Sequence, residues 1–123
     1  MHEVELANRV LEMLRKVATE HRARVLEVDL RVGELNEPSA LRLWLRRLGG
    51  DEFRSTKFKI EVAPLTIKCG CGYLGPVNPP SDTHLPNPEL EISCPKCGGR
   101  EISIRSGREL EVIRVKLQRE ENG

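Results

Sequence analysis

Four cysteines in two close pairs constrain this chain more than any other feature. Cys69-Gly70-Cys71 and Cys94-Pro95-Lys96-Cys97 are separated by twenty-two residues, inside a stretch from Pro64 to about Ile104 rich in cysteine, glycine and proline. Six of the chain's eight prolines fall between Pro76 and Pro95. Such a segment buries too little apolar surface to fold unaided and needs a cross-link or a metal. The two-residue gap of the second pair lets both thiolates reach one ion, and Gly98 accepts the turn that follows. The first pair, with one residue between its cysteines, makes a tighter chelate whose backbone strain Gly70 and Gly72 relax. In a reducing compartment a four-cysteine cluster binds metal more readily than it forms disulfides, and the pairs resemble zinc-ribbon knuckles. The ligand chemistry favours Zn(II) on Cys69, Cys71, Cys94 and Cys97, with an iron site or disulfides as the alternatives. Four thiolates leave no open position for water, so the metal's role is structural.

Around this segment the hydrophobic period describes one ordinary core. Ala7, Val10, Leu11, Leu14, Val17 and Ala18 recur at three- and four-residue steps between Val4 and about Thr19, which predicts an amphipathic helix. Val28, Leu30 and Val32 alternate with Asp29 and Arg31, so Arg24 to Gly33 reads as a strand with one buried face. Asn36 before Glu37-Pro38 reads as a helix cap with proline just inside the start. Leu41, Trp44, Leu45 and Leu48 then repeat on a helical face until Gly49-Gly50. Trp44 is expected in the core, Arg42, Arg46 and Arg47 on a wet face, and Glu34 in solvent. Phe58, Ile60 and Val62 alternate with charged neighbours as a second strand. After Gly107, Leu110 and Val112 alternate, then Ile113, Val115 and Leu117 continue in the opposite phase, predicting a bulge near Val112-Ile113 in a third strand. The expected fold class is α+β: two helices on one face of a small three-stranded sheet, with an inserted zinc-ribbon-like domain.

Twenty basic and nineteen acidic residues give a formal charge of +1, which four thiolates on one Zn(II) would bring to about −1. Aromatic residues are 3% of the chain. A nucleic-acid surface would need a basic groove and stacking rings, so nucleic acid is not an expected partner. A zinc-ribbon module for nucleic-acid or protein interaction is nevertheless the main alternative that cysteine knuckles alone would support. No nucleophile, base and oxyanion donors group in the sequence, and no phosphate-cradling loop follows a strand, so an enzyme is not expected. No apolar run approaches the ~18 residues of a membrane span, and the amphipathic, charged start is unlike a signal peptide. The chain is expected in the cytoplasm. A charged fraction of 32% with Gln118 as the only glutamine is a weak thermophilic signature.

The chain start carries a second, different metal chemistry. In Met1-His2-Glu3 a free α-amine, the His2 amide nitrogen and its Nδ1 can close adjacent five- and six-membered chelate rings in one plane. Ni(II) and Cu(II) favour planar nitrogen donors. His21 stands beyond the first helix, too far to fold back onto Met1. His84 lies in the proline-rich insert and is the candidate fourth nitrogen, with a solvated loop residue as the bland alternative.

Taken together, Met1-His2-Glu3 opening a helix, Arg31-Val32-Gly33-Glu34-Leu35 ending the first strand, the cysteine knuckles, and Ser106-Gly107-Arg108-Glu109-Leu110 before the last strand resemble the hydrogenase nickel-insertion accessory proteins, the HypA family, over essentially the whole chain. The one-residue first knuckle departs from the family's usual two-residue gap. The resemblance implies a nickel metallochaperone for [NiFe] hydrogenase, in some members also for urease. His2 would be the essential nickel ligand, Glu3 a helper, and the four cysteines a structural Zn(II) site. The implied partners are a HypB-type nickel GTPase and the hydrogenase large subunit. Residues 1–64 and 106–123 would form the nickel-binding domain and 65–105 the zinc-binding domain.

Overall fold

A computed structural model describes residues 2–80 and 88–119. Helix α1 runs His2–His21, β1 Ala23–Gly33, α2 Pro38–Gly49, β2 Lys57–Ala63, β3 Thr66–Cys69, β4 Leu74–Pro76, β5 Ile102–Ser106 and β6 Leu110–Arg119. The strands form two sheets, ordered β2-β1-β6 and β4-β3-β5. The fold is α+β, as expected.

In the first sheet β1 is central, parallel to β2 and antiparallel to β6. Parallel neighbours require a crossover, and α2 supplies it. Leu6, Ala7, Val10, Leu11 and Leu14 of α1 and Leu41 and Leu45 of α2 are buried in one cluster with Val28, Leu30, Val32 and Phe58. Trp44 packs at its margin, as its spacing predicts. On β1 the alternate residues serve charge instead. Glu27 lies 3.4 Å from Lys59, Asp29 3.2 Å from Arg114, and Arg31 3.8 Å from Glu109. The predicted bulge is present: Asp29 pairs Arg114 and Leu30 pairs Val112, which leaves Ile113 as the extra residue, 54% exposed. A second register shift skips Leu26, and the buried phase reverses there, from Ala23 and Val25 to Val28, Leu30 and Val32.

Between β2 and β6 the insert builds its own antiparallel sheet and a small core of Leu35, Leu65, Ile67, Cys69, Ile92 and Cys94. Leu35 belongs to this second core although it follows β1 directly.

Three polar residues depart from their expected places. Asn36 is not the α2 cap; Glu37 occupies that position, at φ 46°, and no side chain caps the helix. The Asn36 Nδ2 instead donates to the carbonyls of Arg108 and Glu109, at 2.9 and 3.0 Å. Two part-buried carbonyls just ahead of β6 take the amide donor in place of a local cap. Glu34 is not simply solvated, since its Oε1 accepts the Leu65 amide at 2.7 Å. Arg42 leaves the wet face to donate to the Phe58 carbonyl at 2.8 Å, and Arg47 stands over the Trp44 ring.

The Asn36 and Glu34 contacts converge where β1, β2 and β6 meet the insert. Gly33 donates to the Glu109 carbonyl at 2.8 Å and Leu35 to the Gly107 carbonyl at 3.0 Å. A Cβ on Gly33 would stand 2.1 Å from the Gly107 carbonyl, and Gly107 itself has φ +118° with Leu65 Cα 2.9 Å from where its own Cβ would be. Only glycine fits at either place.

Burial alone would raise the Glu109 carboxyl, but the amides of Gly107, Glu109 and Arg108, and then Arg31, outweigh it and hold it below the ordinary 4.5. A depressed carboxylate contributes stability above its unfolded pKa and loses it as pH falls through its folded pKa. Glu109→Gln is therefore expected to destabilise the protein at pH 7, with the difference from wild type closing as pH drops below 4.5, read by urea unfolding across pH. In the same assay Gly33→Ala should cost about 3 kcal/mol or more, because backbone must part to admit the methyl group. Gly50→Ala, with φ +59° but nothing within 4 Å of its Cβ position, should cost about 1 kcal/mol.

Candidate metal centre

β3 delivers Cys69 at its last residue, and the chain turns at once: Gly72 donates to the Cys69 carbonyl at 3.0 Å, and the Cys69 amide to the Tyr73 carbonyl at 2.9 Å. Gly72 takes φ +99°, which brings the exposed Cys71 back beside Cys69. The second knuckle closes similarly, with Gly98 donating to the Cys94 carbonyl at 2.8 Å and Cys94 to the Gly99 carbonyl at 2.9 Å. Gly98 has φ +73°, the turn geometry its sequence position implied.

The four Sγ atoms all lie within 4.8 Å of one another. Cys69 and Cys97 are 3.6 Å apart and Cys71 and Cys94 3.7 Å. Disulfide sulfurs stand ~2.05 Å apart, so these cysteines are free thiols, whereas metal–thiolate bonds of ~2.3 Å at tetrahedral angles give edges of ~3.8 Å. The spacing fits one tetrahedral ion. Backbone amides point at the sulfurs, Lys96 to Cys94 Sγ at 3.4 Å and Gly99 to Cys97 Sγ at 3.3 Å, and such donors favour thiolate. The one-residue first knuckle thus seats both of its thiols in the cluster.

Four thiols this close cannot all ionise without a cation between them. Burial opposes ionisation of Cys94, but the amides of Cys97 and Lys96 and the hydrogen bonds of Cys71 and Cys97 prevail and bring it down to about 7. For Cys69 the Cys71 amide favours thiolate, yet burial and the hydrogen bonds of Cys97, Cys71 and Cys94 outweigh it and push the thiol up to about 12. A divalent ion would replace those shared protons. Cys69 and Cys94 are buried in the small core, while Cys71 and Cys97 are exposed at its surface.

Of the residues expected to hold nickel, Met1, the His2 imidazole and His84 lie outside the described part of the structure. The His2 backbone opens α1, and Glu3, with Glu5, stands in the first turn, where acidic groups suit the helix dipole. Glu3 is 5% exposed, which its neighbourhood in the sequence did not announce. His21 is the last residue of the continuous α1, about 28 Å from His2 at ~1.5 Å per residue, and so cannot join it. Among the described residues, no helix is long and apolar enough to cross a membrane.

Residues 1–117 match the HypA family, described as hydrogenase/urease nickel incorporation, metallochaperone. A hydrogenase maturation factor HypA from Methanothermobacter thermautotrophicus is 33% identical, the alignment covering 98% of this chain and all of the relative. One from Methanopyrus kandleri is 35% identical, over 96% of this chain and 94% of the relative. In three dimensions the fold is similar to the solution structure of the Ni metallochaperone HypA from Helicobacter pylori, with a TM-score of 0.59 at 16% identity over 98% of this chain and 100% of the other. With α1 opening at His2, the four thiols gathered at one point and a match of this length, the chain belongs to the HypA family.

Proposed function

We propose that this chain is a nickel metallochaperone for hydrogenase maturation, in which a structural zinc ion braces the scaffold and the amino terminus carries Ni(II) as cargo. The observation that carries the reading is the family match over residues 1–117. The four-thiol cluster is the part of it with geometry. Its role is non-catalytic. Its place is the cytoplasm, and its partners are a HypB-type nickel GTPase and the large subunit of a [NiFe] hydrogenase.

In this reading residues 65–105 form the zinc-binding domain, and 1–64 with 106–123 the nickel-binding domain. Cys69, Cys71, Cys94 and Cys97 hold Zn(II), a d10 ion indifferent to redox, which ties the two knuckles to β3 and supplies the stability that the small core lacks. With Met1 as a free amino terminus, its α-amine, the His2 amide nitrogen and the His2 Nδ1 form a planar pincer for Ni(II). Glu3 assists it. His84, from the insert, adds a fourth nitrogen in one orientation of the zinc-binding domain. A site built on an amine, an amide and an imidazole must shed protons to bind, so acid releases the cargo. Until the fourth nitrogen arrives, one open position lets a recipient's ligand enter before the donor leaves.

Nickel titration of the untagged protein is expected to give d–d bands of a planar complex and an affinity at least about tenfold above that of His2→Ala, since one chelate ring is lost. Equal affinity of the two would overturn the pincer. His84→Ala should weaken nickel binding and leave zinc content unchanged; unaltered nickel affinity would remove His84 from the site.

Zinc removal by a chelator should collapse the β4-β3-β5 sheet while the α1–α2 core keeps its helical circular dichroism, because the two clusters share no residue. Co(II) reloading should show thiolate charge-transfer bands and weaken as pH falls from 8 to 6, through the value of about 7 for Cys94, because each thiol still protonated must release its proton to bind.

A further inference from the structure

Helix α1 and strand β6 leave between them an open groove of about 620 Å³, within the ~300 to 1,000 Å³ range of pockets that bind ligands. Its floor is apolar: Leu6, Val10 and Met13 from the helix face Leu110 and Val112 from the strand. Its charged lining is of one sign. Arg9 and Arg108 line it, with Asn36 beside them, and among the described residues no acidic one does so, although the chain as a whole is almost balanced in charge. Leu6, Arg9, Val10 and Met13 follow at helical spacing on one stripe of α1, so the arginine stands among the apolar residues and not apart from them. Arg9 is exposed and makes no ion pair among the described residues. Glu5 and Glu12 also lie on α1, but neither lines the groove. Met13, 39% exposed, is an unbranched side chain that adapts to whatever covers it.

We propose that this groove is a docking site for a segment of a partner protein that presents apolar side chains flanked by acidic ones. The apolar floor takes the side chains out of water, and the exposed Arg9 guanidinium meets the carboxylates at the rim, where arginine pairs best. The position gives the contact a purpose. Leu6 is four residues beyond His2, ~6 Å along the helix axis, so a segment seated here holds its parent within about one helical turn of the amino terminus. That purpose rests on the nickel-delivery reading; the binding itself does not.

The probe is a fluorescein-labelled synthetic helical peptide with leucines at i, i+3, i+4 and i+7 and glutamates at the flanking positions, beside a copy with lysines in place of the glutamates. The glutamate peptide is expected to bind, with amide chemical-shift changes confined to α1, Asn36, Arg108 and the start of β6. Binding should weaken about tenfold in Arg9→Glu and likewise in raised salt, as expected of a rim charge. Met13→Gln, which keeps the length of the side chain, should weaken it without salt dependence. Four results would overturn the proposal: no binding of the glutamate peptide, equal binding of the lysine peptide, indifference to Arg9→Glu, or concentration-dependent shifts at the groove without peptide, which would assign the face to a second copy. Nickel titration of Arg9→Glu should match wild type. If the peptide binds but wild-type protein takes up no nickel, the delivery reading falls and the groove stands; the reverse result removes the groove alone.

Discussion

At the end of β1 the backbone of Gly33 lies against that of Gly107 with no room for a side chain on either. Every connection to the cysteine cluster passes this point. Gly33 pairs with Ala63 at the end of β2, from which the chain leaves through Pro64 and Leu65, and it returns through Ser106 and Gly107 to β6. The turn Glu34–Asn36 grows from the same glycine and fastens both paths and the second core: Glu34 to the Leu65 amide, Asn36 to two carbonyls ahead of β6, and Leu35 into the core itself. Ser106 adds a hydrogen bond from its hydroxyl to the Pro64 carbonyl at 2.6 Å. Backbone groups that a free linker would leave to water are here satisfied by protein. The two cores therefore share no residue, yet they are held by a built joint.

What could be read without coordinates followed the range of the forces involved. Helix and strand order came from hydrophobic period, because burial of one face imposes that period residue by residue. Even the bulge at Ile113 was legible, since an extra residue reverses the phase of every apolar position after it. The four thiols were legible because two knuckles close locally, each on its own glycine turn. The second sheet was not, for its strands hold three to five residues, too few to establish a period. Leu65 just before β3, Ile67 and Cys69 on it, and Ile102 and Ile104 on β5 alternate with polar neighbours, but over too few positions to mark a sheet.

Asn36 and Glu34 show a different limit. Beside Glu37-Pro38 an asparagine satisfies every local rule for a cap, but its partners lie 72 and 73 residues away, and nothing near it in the chain records them. Glu34 likewise finds an amide 31 residues on. Polar residues at a joint answer to segments that meet only in three dimensions. Local propensity is then overruled by buried backbone groups that need a donor or an acceptor.

The chemistry proposed for the two ends of this joint requires opposite kinds of site. Four soft thiolates around one ion, two buried and two at the surface and fed by backbone amides, exchange slowly with a competitor because no position is open. A nitrogen pincer at a chain terminus has the contrary design: few ligands, all close in sequence, and a free side for another donor. A carrier must hold its cargo tightly enough to exclude loss and loosely enough to surrender it, and proximity resolves that conflict better than affinity does. If a recipient is seated on the α1–β6 groove, its own ligands are concentrated about one turn from the amino terminus, and transfer becomes intramolecular. Specificity of delivery then belongs to Arg9 and the apolar floor of the groove, and the nitrogen site need only prefer the right metal.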